Sequence, residues 1–401
     1  MSIAFLFYVC FVNRYYSYLN SAKEIIAAYN GEEPLSAYLK KHFSTDKKYG
    51  SKDRKLISHL CYCYFRLGKM AEDMATEDRI ISGLFLCSDS GNEILQFIKP
   101  EWNGIVALSA TDKLAKINRS YKIRSVFPWQ EQLSNGVSHE EFCKSFFIQP
   151  DLFLRLRPGY ENGVKEKLTT AGISYAEIND QCLSVSNTSK VDIILDLDRE
   201  AVVQDLNSQR VGELMKSAIS KLPAFINAWD CCAASGGKSI LCYDLKPDIQ
   251  LVVSDIRENI LINLKKRFAK AGINNYKSFI ADLSQPGNRK PEQLYDFIIA
   301  DVPCSGSGTW SRTPEQLFYF NEAEMDRYNV LQQNIAGNVI NYLKPGGYLL
   351  YITCSVFKKE NEQVIEYITR QKKLEIKEMR LFAGYNQKAD TLFATLLYKP
   401  L

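Results

Sequence analysis

The strongest constraint on the fold is an alternation of strands and helices in the second half of the chain. Four short apolar segments, each of strand length, are separated by segments with helical periodicity. The predicted strands are residues 225–229, 251–254, 297–301 and 348–353, and the predicted helices are residues 239–245, 260–271 and 325–343. Repeated β-α-β units favour a mainly parallel, doubly wound sheet, which binds ligands at the carboxyl ends of its strands. We therefore predict an α/β domain with its site at that edge.

Two regions with different patterns precede this domain. From residue 15 to about 116 the apolar residues recur at helical spacing, which predicts a helical bundle. Between about 147 and 203, residues 152–157 alternate as a strand, residues 164–171 are helix-like, and strands are predicted at 182–185 and 193–195. This pattern predicts a small α+β module. The domains expected from sequence are residues 1–145, 146–210 and 211–401.

Composition excludes several classes of protein. A formal charge of +4 permits a polyanionic partner without requiring one. Eleven cysteines, including the neighbours Cys231 and Cys232, indicate a reducing cytoplasm and no disulfide framework. With three histidines and no paired ligand spacing, no metal site is expected. The apolar residues 3–12 are too few to span a bilayer, which takes about 20. A signal peptide is disfavoured because no basic segment precedes them and no small-residue cleavage site follows; a buried first helix or an upstream translation start would explain them. No membrane partner is expected.

A loop rich in small residues, 229–239, follows one predicted strand and opens a helix. Such a loop lets backbone amides approach a ligand closely. Its end resembles a phosphate loop, but Cys232 stands where that motif needs its first glycine, which disfavours an ATPase. Acidic residues at the ends of the next strands could accept hydrogen bonds from ribose, although the absence of GxGxxG disfavours NAD. The candidate cofactor-binding residues are Cys232, Ala233, Ala234, Ser235, Gly236, Gly237, Lys238, Asp255 and Asp282.

Two cysteines follow the ends of two other predicted strands. Cys304 lies in Asp301-Val302-Pro303-Cys304, and Cys354 lies in Thr353-Cys354-Ser355. A single cysteine is most often a small buried apolar residue. Here each one lies in a polar turn beside a serine, and neighbouring strands would bring both thiols to one cleft. The pair is therefore a candidate reactive site.

These motifs resemble those of the RsmB/Nop/Sun family of RNA cytosine-5 methyltransferases, which combine a Pro-Cys motif with a Thr-Cys motif. The loop matches the family's Asp-x-Cys-Ala-Ala-Pro-Gly-Gly-Lys-Thr except at Ser235, where proline is usual, and at Ser239. Residues 203–209 and 390–394 resemble further family segments, with Thr391 departing from the pattern. Residues 150–203 resemble the family's RNA-recognition-like module. Residues 47–66 weakly resemble a NusB-like domain, and an unrelated helical bundle stays open there.

The resemblance implies a Rossmann-like class I fold and transfer of a methyl group from S-adenosylmethionine to carbon 5 of cytosine. It implies that Cys354 attacks carbon 6 of the base, while Cys304 assists removal of the C5 proton and product release. It also implies that Asp301 binds the N3/N4 edge of cytosine and lies near the cofactor. Lys238 would orient that carboxylate.

The partner implied by the resemblance is RNA, most closely small-subunit ribosomal RNA, with transfer RNA left open and a monomer expected. A DNA cytosine methyltransferase would need a large recognition insert, for which the segment after Cys354 is too short. A non-catalytic RNA-binding factor is opposed by the retained cysteines, Lys238 and Asp301. The candidate RNA contacts are Arg155, Arg157, Trp310, Arg312 and the basic residues Lys40, Lys41, Lys47, Lys48, Lys52, Arg54 and Lys55.

Overall fold

The computed structural model describes residues 3–45, 48–285, 291 and 293–401, with side chains from residue 14 onward. The chain divides into two compact units. One contains Met1–Glu131, Ser138–Gln149 and Trp310–Asn321, and the other contains Gln132–Val137, Pro150–Thr309 and Glu322–Leu401. The division into three domains stays a prediction.

The helices of the described chain are α1 Ile3–Ala28, α2 Leu35–Thr45, α3 Ser51–Arg66, α4 Thr76–Cys87, α5 Glu93–Ile98, α6 Pro100–Asn103, α7 Ala110–Ile117, α8 His139–Ser145, α9 Glu161–Thr170, α10 Leu206–Arg210, α11 Gly212–Ile219, α12 Gly237–Leu245, α13 Glu258–Ala271, α14 Pro314–Tyr319, α15 Ala323–Val339 and α16 Glu362–Lys372. The strands are β1 Leu152–Leu156, β2 Tyr175–Asn179, β3 Cys182–Val185, β4 Ala201–Val203, β5 Asn227–Asp230, β6 Gln250–Asp255, β7 Tyr276–Ile280, β8 Tyr295–Asp301, β9 Leu343–Thr353, β10 Glu375–Phe382 and β11 Leu392–Tyr398.

The first unit is helical, as the periodicity predicts. Its core is formed by apolar side chains at helical spacing, such as Ile57 and Leu60 of α3 and Ile80 and Leu84 of α4. At the start of α3, the carboxylate of Asp53 accepts a hydrogen bond from the Gly50 amide at 2.9 Å and so caps the helix. The likeness to NusB stays a prediction. The placement of Lys47 and the side chains of residues 3–12 lie outside the described residues.

The second unit contains a small four-stranded sheet in the order β2-β3-β1-β4, with every neighbouring pair antiparallel. Helix α9 packs on it through Val164 and Leu168. The strand predicted at residues 193–195 is wrong: residues Val191–Ile193 form a 3₁₀ turn. Val191 and Leu195 are buried while Ile193 is 74% exposed, so the burial there does not follow the two-residue period of a strand.

The larger sheet has seven strands in the order β10-β11-β9-β8-β5-β6-β7. From β9 to β7 all pairs are parallel, and β11 runs antiparallel between β9 and β10. Strand β8 is buried along nearly its whole length because helices cover both faces of a parallel sheet. The predicted α/β sheet is confirmed. The helix predicted at 325–343 is too long, since α15 stops at Val339 and β9 begins at Leu343.

None of the described helices is long and apolar enough to cross a membrane. The ten cysteines in the part of the chain with described side chains are all free thiols. Among those same residues, no cluster of three or more His, Cys, Asp or Glu side chains could hold a metal ion.

Candidate active site

The loop between β5 and α12 is held in a tight, strained turn. Ala234 and Gly236 both have positive φ, at 45° and 85°. A Cβ on Gly236 would lie 2.7 Å from Cε1 of Phe268, so only glycine fits there. The Ala234 amide donates to Oδ2 of Asp255 at 3.0 Å, and Arg267 donates to both the carbonyl and the hydroxyl of Ser235 at 2.9 Å. Contacts from β6 and α13 therefore fix the loop.

Asp230, the last residue of β5, carries an unusual buried carboxyl group. Its Oδ2 accepts a hydrogen bond from Ser239 at 2.6 Å, while its Oδ1 has no partner within the described chain. Burial raises the pKa of Asp230 to about 7, against the lowering effect of the Ser239 hydrogen bond. A buried carboxylate oxygen without a partner is costly, and it favours a cationic ligand.

Lys238, at the start of α12, lies beside the last residue of β8. Its Nζ donates to Oδ2 of Asp301 at 2.6 Å. Burial alone would lower the pKa of Lys238, but the charge and hydrogen bond of Asp301 outweigh burial and leave the pKa raised. The ammonium group therefore stays charged and holds the Asp301 carboxylate, which is the arrangement that the sequence predicted for these two residues.

A cavity of about 290 Å³ opens beside this loop. It is lined by Val203, Gln204, Asp205, Ser208, Asp230, Cys232, Ala233, Ala234, Ser235, Gly237, Lys238, Arg267, Asp301, Thr309, Cys354, Asp390 and Leu392. Most of the predicted cofactor residues are in this set. Gly236, Asp255 and Asp282 are not: Asp255 accepts hydrogen bonds from the Ala234 amide in the loop and from Arg257, and Asp282 accepts hydrogen bonds from Ser284. Their cofactor role stays a prediction.

Several residues of the cavity wall were assigned no role from the sequence. Gln204 and Asp205 come just before α10, and Ser208 lies within α10. Arg267 comes from α13, and Asp390 lies just before β11. Asp230 was quoted in the loop motif but was not assigned a role. The segments around Gln204 and Asp390 had matched family motifs, and this match was the signal that could have marked them as part of the site.

The two cysteines meet at the carboxyl ends of β8 and β9, as predicted. These strands are parallel neighbours, with Asp301 opposite Ile352, and the sulfur atoms of Cys304 and Cys354 lie 3.2 Å apart. Both residues are partly exposed. The hydrogen bond with Cys354 and then burial raise the pKa of the Cys304 thiol well above its usual range. Cys304 therefore holds its proton in the resting site.

Gly308 lets the two cysteine turns approach each other. Its amide donates to the carbonyl of Cys354 at 2.8 Å, and its own carbonyl accepts from the Thr391 amide at 2.9 Å. A Cβ on Gly308 would lie 2.0 Å from the Thr391 carbonyl oxygen. Thr391, which departs from the family pattern, thus contributes its backbone to the site, and its side chain accepts a hydrogen bond from Gly384.

The interpretation of Arg155 and Arg157 as RNA contacts is wrong. The two side chains do share a face of β1, but they are only 5% and 8% exposed. Arg155 and Arg157 both bind the carboxylate of Asp244 in α12, at 2.5 and 2.7 Å. The two-residue spacing correctly predicted that both side chains lie on one face of β1. The sequence could not reveal that their buried acidic partner, Asp244, lies 89 and 87 residues away.

Trp310 is likewise not available to stack on a target base. It is 1% exposed, and its ring packs against Phe320 and Phe127 at centroid distances of 4.8 and 6.1 Å. Arg312 is half-buried, and its predicted role stays a prediction. Of the basic residues, Lys41 pairs with Glu33 at 2.7 Å, whereas Lys40, Lys52 and Lys55 are exposed. Their contact with RNA also stays a prediction.

Comparison with solved structures supports the fold. The structure of PH0851 superposes with a TM-score of 0.71 at 19% sequence identity, covering 95% of this chain and 98% of that one. At this identity the likeness is one of fold alone.

Sequence comparison identifies the family. A family model described as 16S rRNA methyltransferase RsmB/F matches residues 226–398. A probable ribosomal RNA small subunit methyltransferase B of Synechocystis is 29% identical over 248 residues, 59% of this chain and 53% of that protein. Its namesake in Coxiella burnetii is 30% identical over 190 residues, 46% of this chain and 43% of that protein. The chain spans about half the length of the curated relatives it matches. Residues 226–398 thus match the RsmB/F family of rRNA methyltransferases, so the predicted resemblance is confirmed.

Proposed function

We propose that the protein transfers a methyl group from S-adenosylmethionine to carbon 5 of a cytosine in RNA, with ribosomal RNA of the small subunit as the substrate class. The observation that carries the proposal is the pair of thiols 3.2 Å apart at the ends of β8 and β9, one of which lines the cavity beside the β5–α12 loop. The names of the curated relatives support the choice of RNA.

Family membership implies S-adenosylmethionine as the cofactor, and the residues of the cavity fit it. This cofactor supplies an electrophilic methyl group on a sulfonium. The unpartnered Oδ1 of Asp230 suits a cationic amino group, and the small residues at 232–237 leave backbone room for a bound ligand. The cavity volume of about 290 Å³ is just below the usual range for ligand pockets, which starts at about 300 Å³.

The reaction needs a nucleophile because carbon 5 of cytosine is too weakly nucleophilic to accept a methyl group unaided. Addition of a thiolate to carbon 6 forms an S–C6 bond and makes carbon 5 enamine-like, so that carbon 5 can attack the methyl group. We assign this role to Cys354. The ring also gains electron density at N3, where Asp301, held by Lys238, is suited to hydrogen-bond the base.

The same geometry explains how Cys304 can act later as a base. Its raised pKa is caused first by the hydrogen bond with Cys354, then by burial and by the Cys354 charge. Once the Cys354 sulfur is bonded to carbon 6, it no longer carries a negative charge. The pKa of Cys304 then falls, so Cys304 can release its own proton to solvent and, as the thiolate, take the proton from carbon 5. Loss of that proton re-forms the C5–C6 double bond and breaks the S–C6 bond.

The test is to compare Cys304→Ala and Cys354→Ala with labelled S-adenosylmethionine and bulk RNA. Cys304→Ala should accumulate an SDS-resistant protein–RNA adduct, because the nucleophile adds but the product is not released. Cys354→Ala should lose both the adduct and methyl transfer, and DNA should accept no label from the unaltered protein. Methylation of RNA by Cys354→Ala would refute the assignment of the nucleophile.

A further inference from the structure

Glu360 is a buried carboxylate that lies under both cysteine turns. It follows β9 by seven residues and is fully inaccessible to solvent. Its Oε2 accepts a hydrogen bond from the Ser305 amide at 2.7 Å, in the turn that carries Cys304. Its Oε1 accepts one from the Ser355 hydroxyl at 2.7 Å, in the turn that carries Cys354. Each cysteine is thus the immediate neighbour of a residue bound to the same carboxylate.

Further hydrogen bonds hold the carboxylate and the two turns in place. Gln332 of α15 donates to Oε2 of Glu360 at 3.2 Å and to the Pro303 carbonyl at 2.9 Å. The backbone carbonyl of Glu360 accepts from the hydroxyl of Tyr351 at 2.8 Å. The Ser305 and Ser355 hydroxyls also lie 3.3 Å from each other. Such a network has few ways to relax, so the carboxylate fixes the relative position of both turns.

We propose that Glu360 is a positioning residue that joins the Cys304 turn to the Cys354 turn and thereby holds the two thiols at contact distance. It touches neither sulfur through a hydrogen bond of its own and acts through Ser305 and Ser355. The catalytic consequence rests on the proposed function, whereas the spacing of the thiols can be measured without it.

Burial raises the pKa of Glu360, although the hydrogen bonds from Ser305, Ser355 and Gln332 oppose this effect. Its charge also contributes, after Cys354 and burial, to the raised pKa of Cys304. Glu360 therefore affects both the spacing of the two cysteine turns and the protonation of Cys304. Glu360→Gln separates the two, since a glutamine of the same shape can still accept from the Ser305 amide and donate to the Ser355 hydroxyl.

The experiment measures thiol spacing chemically in the full-length protein. Diamide takes up two hydrogen atoms as two thiols join in a disulfide, and peptide mass mapping then follows the peptide that links Cys304 to Cys354. Glu360→Ala should form this link about tenfold more slowly than the unaltered protein, because the turns lose their shared anchor. Glu360→Gln should stay within about threefold of the unaltered rate, and Glu360→Asp, too short to reach both turns, should be slow.

Glu362→Ala is the matched control. Glu362 lies two residues away and accepts hydrogen bonds from Ser134 and the Asn135 amide, both at 2.9 Å, but not from a cysteine turn. It should leave the rate of linkage unchanged. In the methylation assay, Glu360→Ala should lower kcat about tenfold or more with little change in KM for S-adenosylmethionine.

Linkage of Cys304 to Cys354 at the unaltered rate in Glu360→Asp and in folded Glu360→Ala would overturn the proposal. If Glu360→Ala does not fold, Glu360→Asp against Glu360→Gln decides the matter. If the Glu360 variants show the expected linkage rates but the unaltered protein methylates no RNA, the proposed function is refuted and the positioning role of Glu360 stands.

Discussion

At the scale of single residues, Ser235 shows how a departure from a family motif can be compensated. Proline, which is usual at this position in RsmB/Nop/Sun enzymes, restricts the backbone by its ring. Here Arg267 restrains the same position from outside, through hydrogen bonds to the Ser235 carbonyl and hydroxyl, while it also binds Asp198 at 2.7 Å. The loop motif could be found from sequence because its residues are contiguous. Arg267 could not, since it is brought to the loop only by the packing of α13.

We expect Arg267→Ala to weaken cofactor binding. Loss of its planar fork frees the Ser235 carbonyl and lets the loop sample other conformations, so KM for S-adenosylmethionine should rise about 3–10-fold, with a smaller change in kcat. Arg267→Lys, which keeps the charge but cannot bind Asp198 and Ser235 together, should raise this KM nearly as much. Steady-state kinetics with varied cofactor checks this, and an unchanged KM in both variants would contradict it.

Asp230 gives a pH-dependent prediction for stability. Its pKa is raised from an ordinary value of about 3.9 in the unfolded chain to about 7 in the folded protein. Below pH 4 the group is protonated in both states; between pH 4 and 7 the unfolded chain releases the proton more readily, so folding loses stability as pH rises. Asp230→Asn should therefore raise the melting temperature of the cofactor-free protein at pH 8 but not at pH 4.

The same substitution should weaken binding of S-adenosylmethionine, because the buried negative charge is lost. Calorimetric titration with the cofactor at pH 8 measures this second effect. An Asp230→Asn protein with the same melting temperature as the unaltered protein at pH 8 would show that the buried carboxyl carries no such cost.

At the scale of elements, sequence predicted the central strands well and the peripheral ones poorly. Strands β5, β6, β8 and β9 are apolar runs because they are buried on both faces, and such runs can be recognised without knowing the fold. Strand β10 was not predicted, since this edge strand carries exposed charged residues such as Glu375 and Lys377. The meeting of the two cysteines could be predicted because it depends only on β8 and β9 being parallel neighbours.

The close approach of the turns after β8 and β9 makes Gly308 irreplaceable. Gly308→Ala would place a methyl group 2.0 Å from the Thr391 carbonyl oxygen and 2.9 Å from that of Cys354, so one turn must shift. The expected cost is about 1–3 kcal/mol of unfolding free energy, and kcat should fall about tenfold or more as the thiols separate. Denaturant unfolding and kinetics measure both effects.

Gly337→Ala is the control for this prediction. Gly337 lies in α15, and apart from its chain neighbours and the nearby backbone of the helix itself no atom lies within 4 Å of an added Cβ. Alanine should therefore fit there and stabilise the protein by up to about 1 kcal/mol through its higher helix propensity, with unchanged activity. Equal effects of the two substitutions would mean that the close packing around Gly308 does not matter.

At the scale of the whole molecule, a net charge of +4 does not reveal an RNA surface by itself. Two residues that the spacing suggested for RNA, Arg155 and Arg157, are committed to a buried ion pair. The exposed lysines at positions 40, 52 and 55 remain candidates. Charge on the surface and charge in the interior look alike in a sequence, because the difference lies in distant partners.

If Lys40, Lys52 and Lys55 bind phosphates, changing all three to glutamine should reduce the salt dependence of RNA binding. Each contact with single-stranded RNA contributes about 0.7 to the slope of log affinity against log salt, so the slope should fall by about 2. Fluorescence anisotropy with labelled RNA at several salt concentrations measures it. The matched control changes the exposed Lys216, Lys373 and Lys377 to glutamine and should reduce this slope less. An equal reduction in both triple variants would mean that the lysines attract RNA only non-specifically.

The carboxylate of Asp244 has a consequence for how this chain can be divided. It neutralises two arginines of β1, so a fragment that starts at residue 211 would keep the acid in α12 and discard both cations. Such a fragment would lose both ion pairs that hold Asp244. The smallest fragment worth expressing therefore begins before Leu152, so that it keeps the four-stranded sheet together with the seven-stranded sheet.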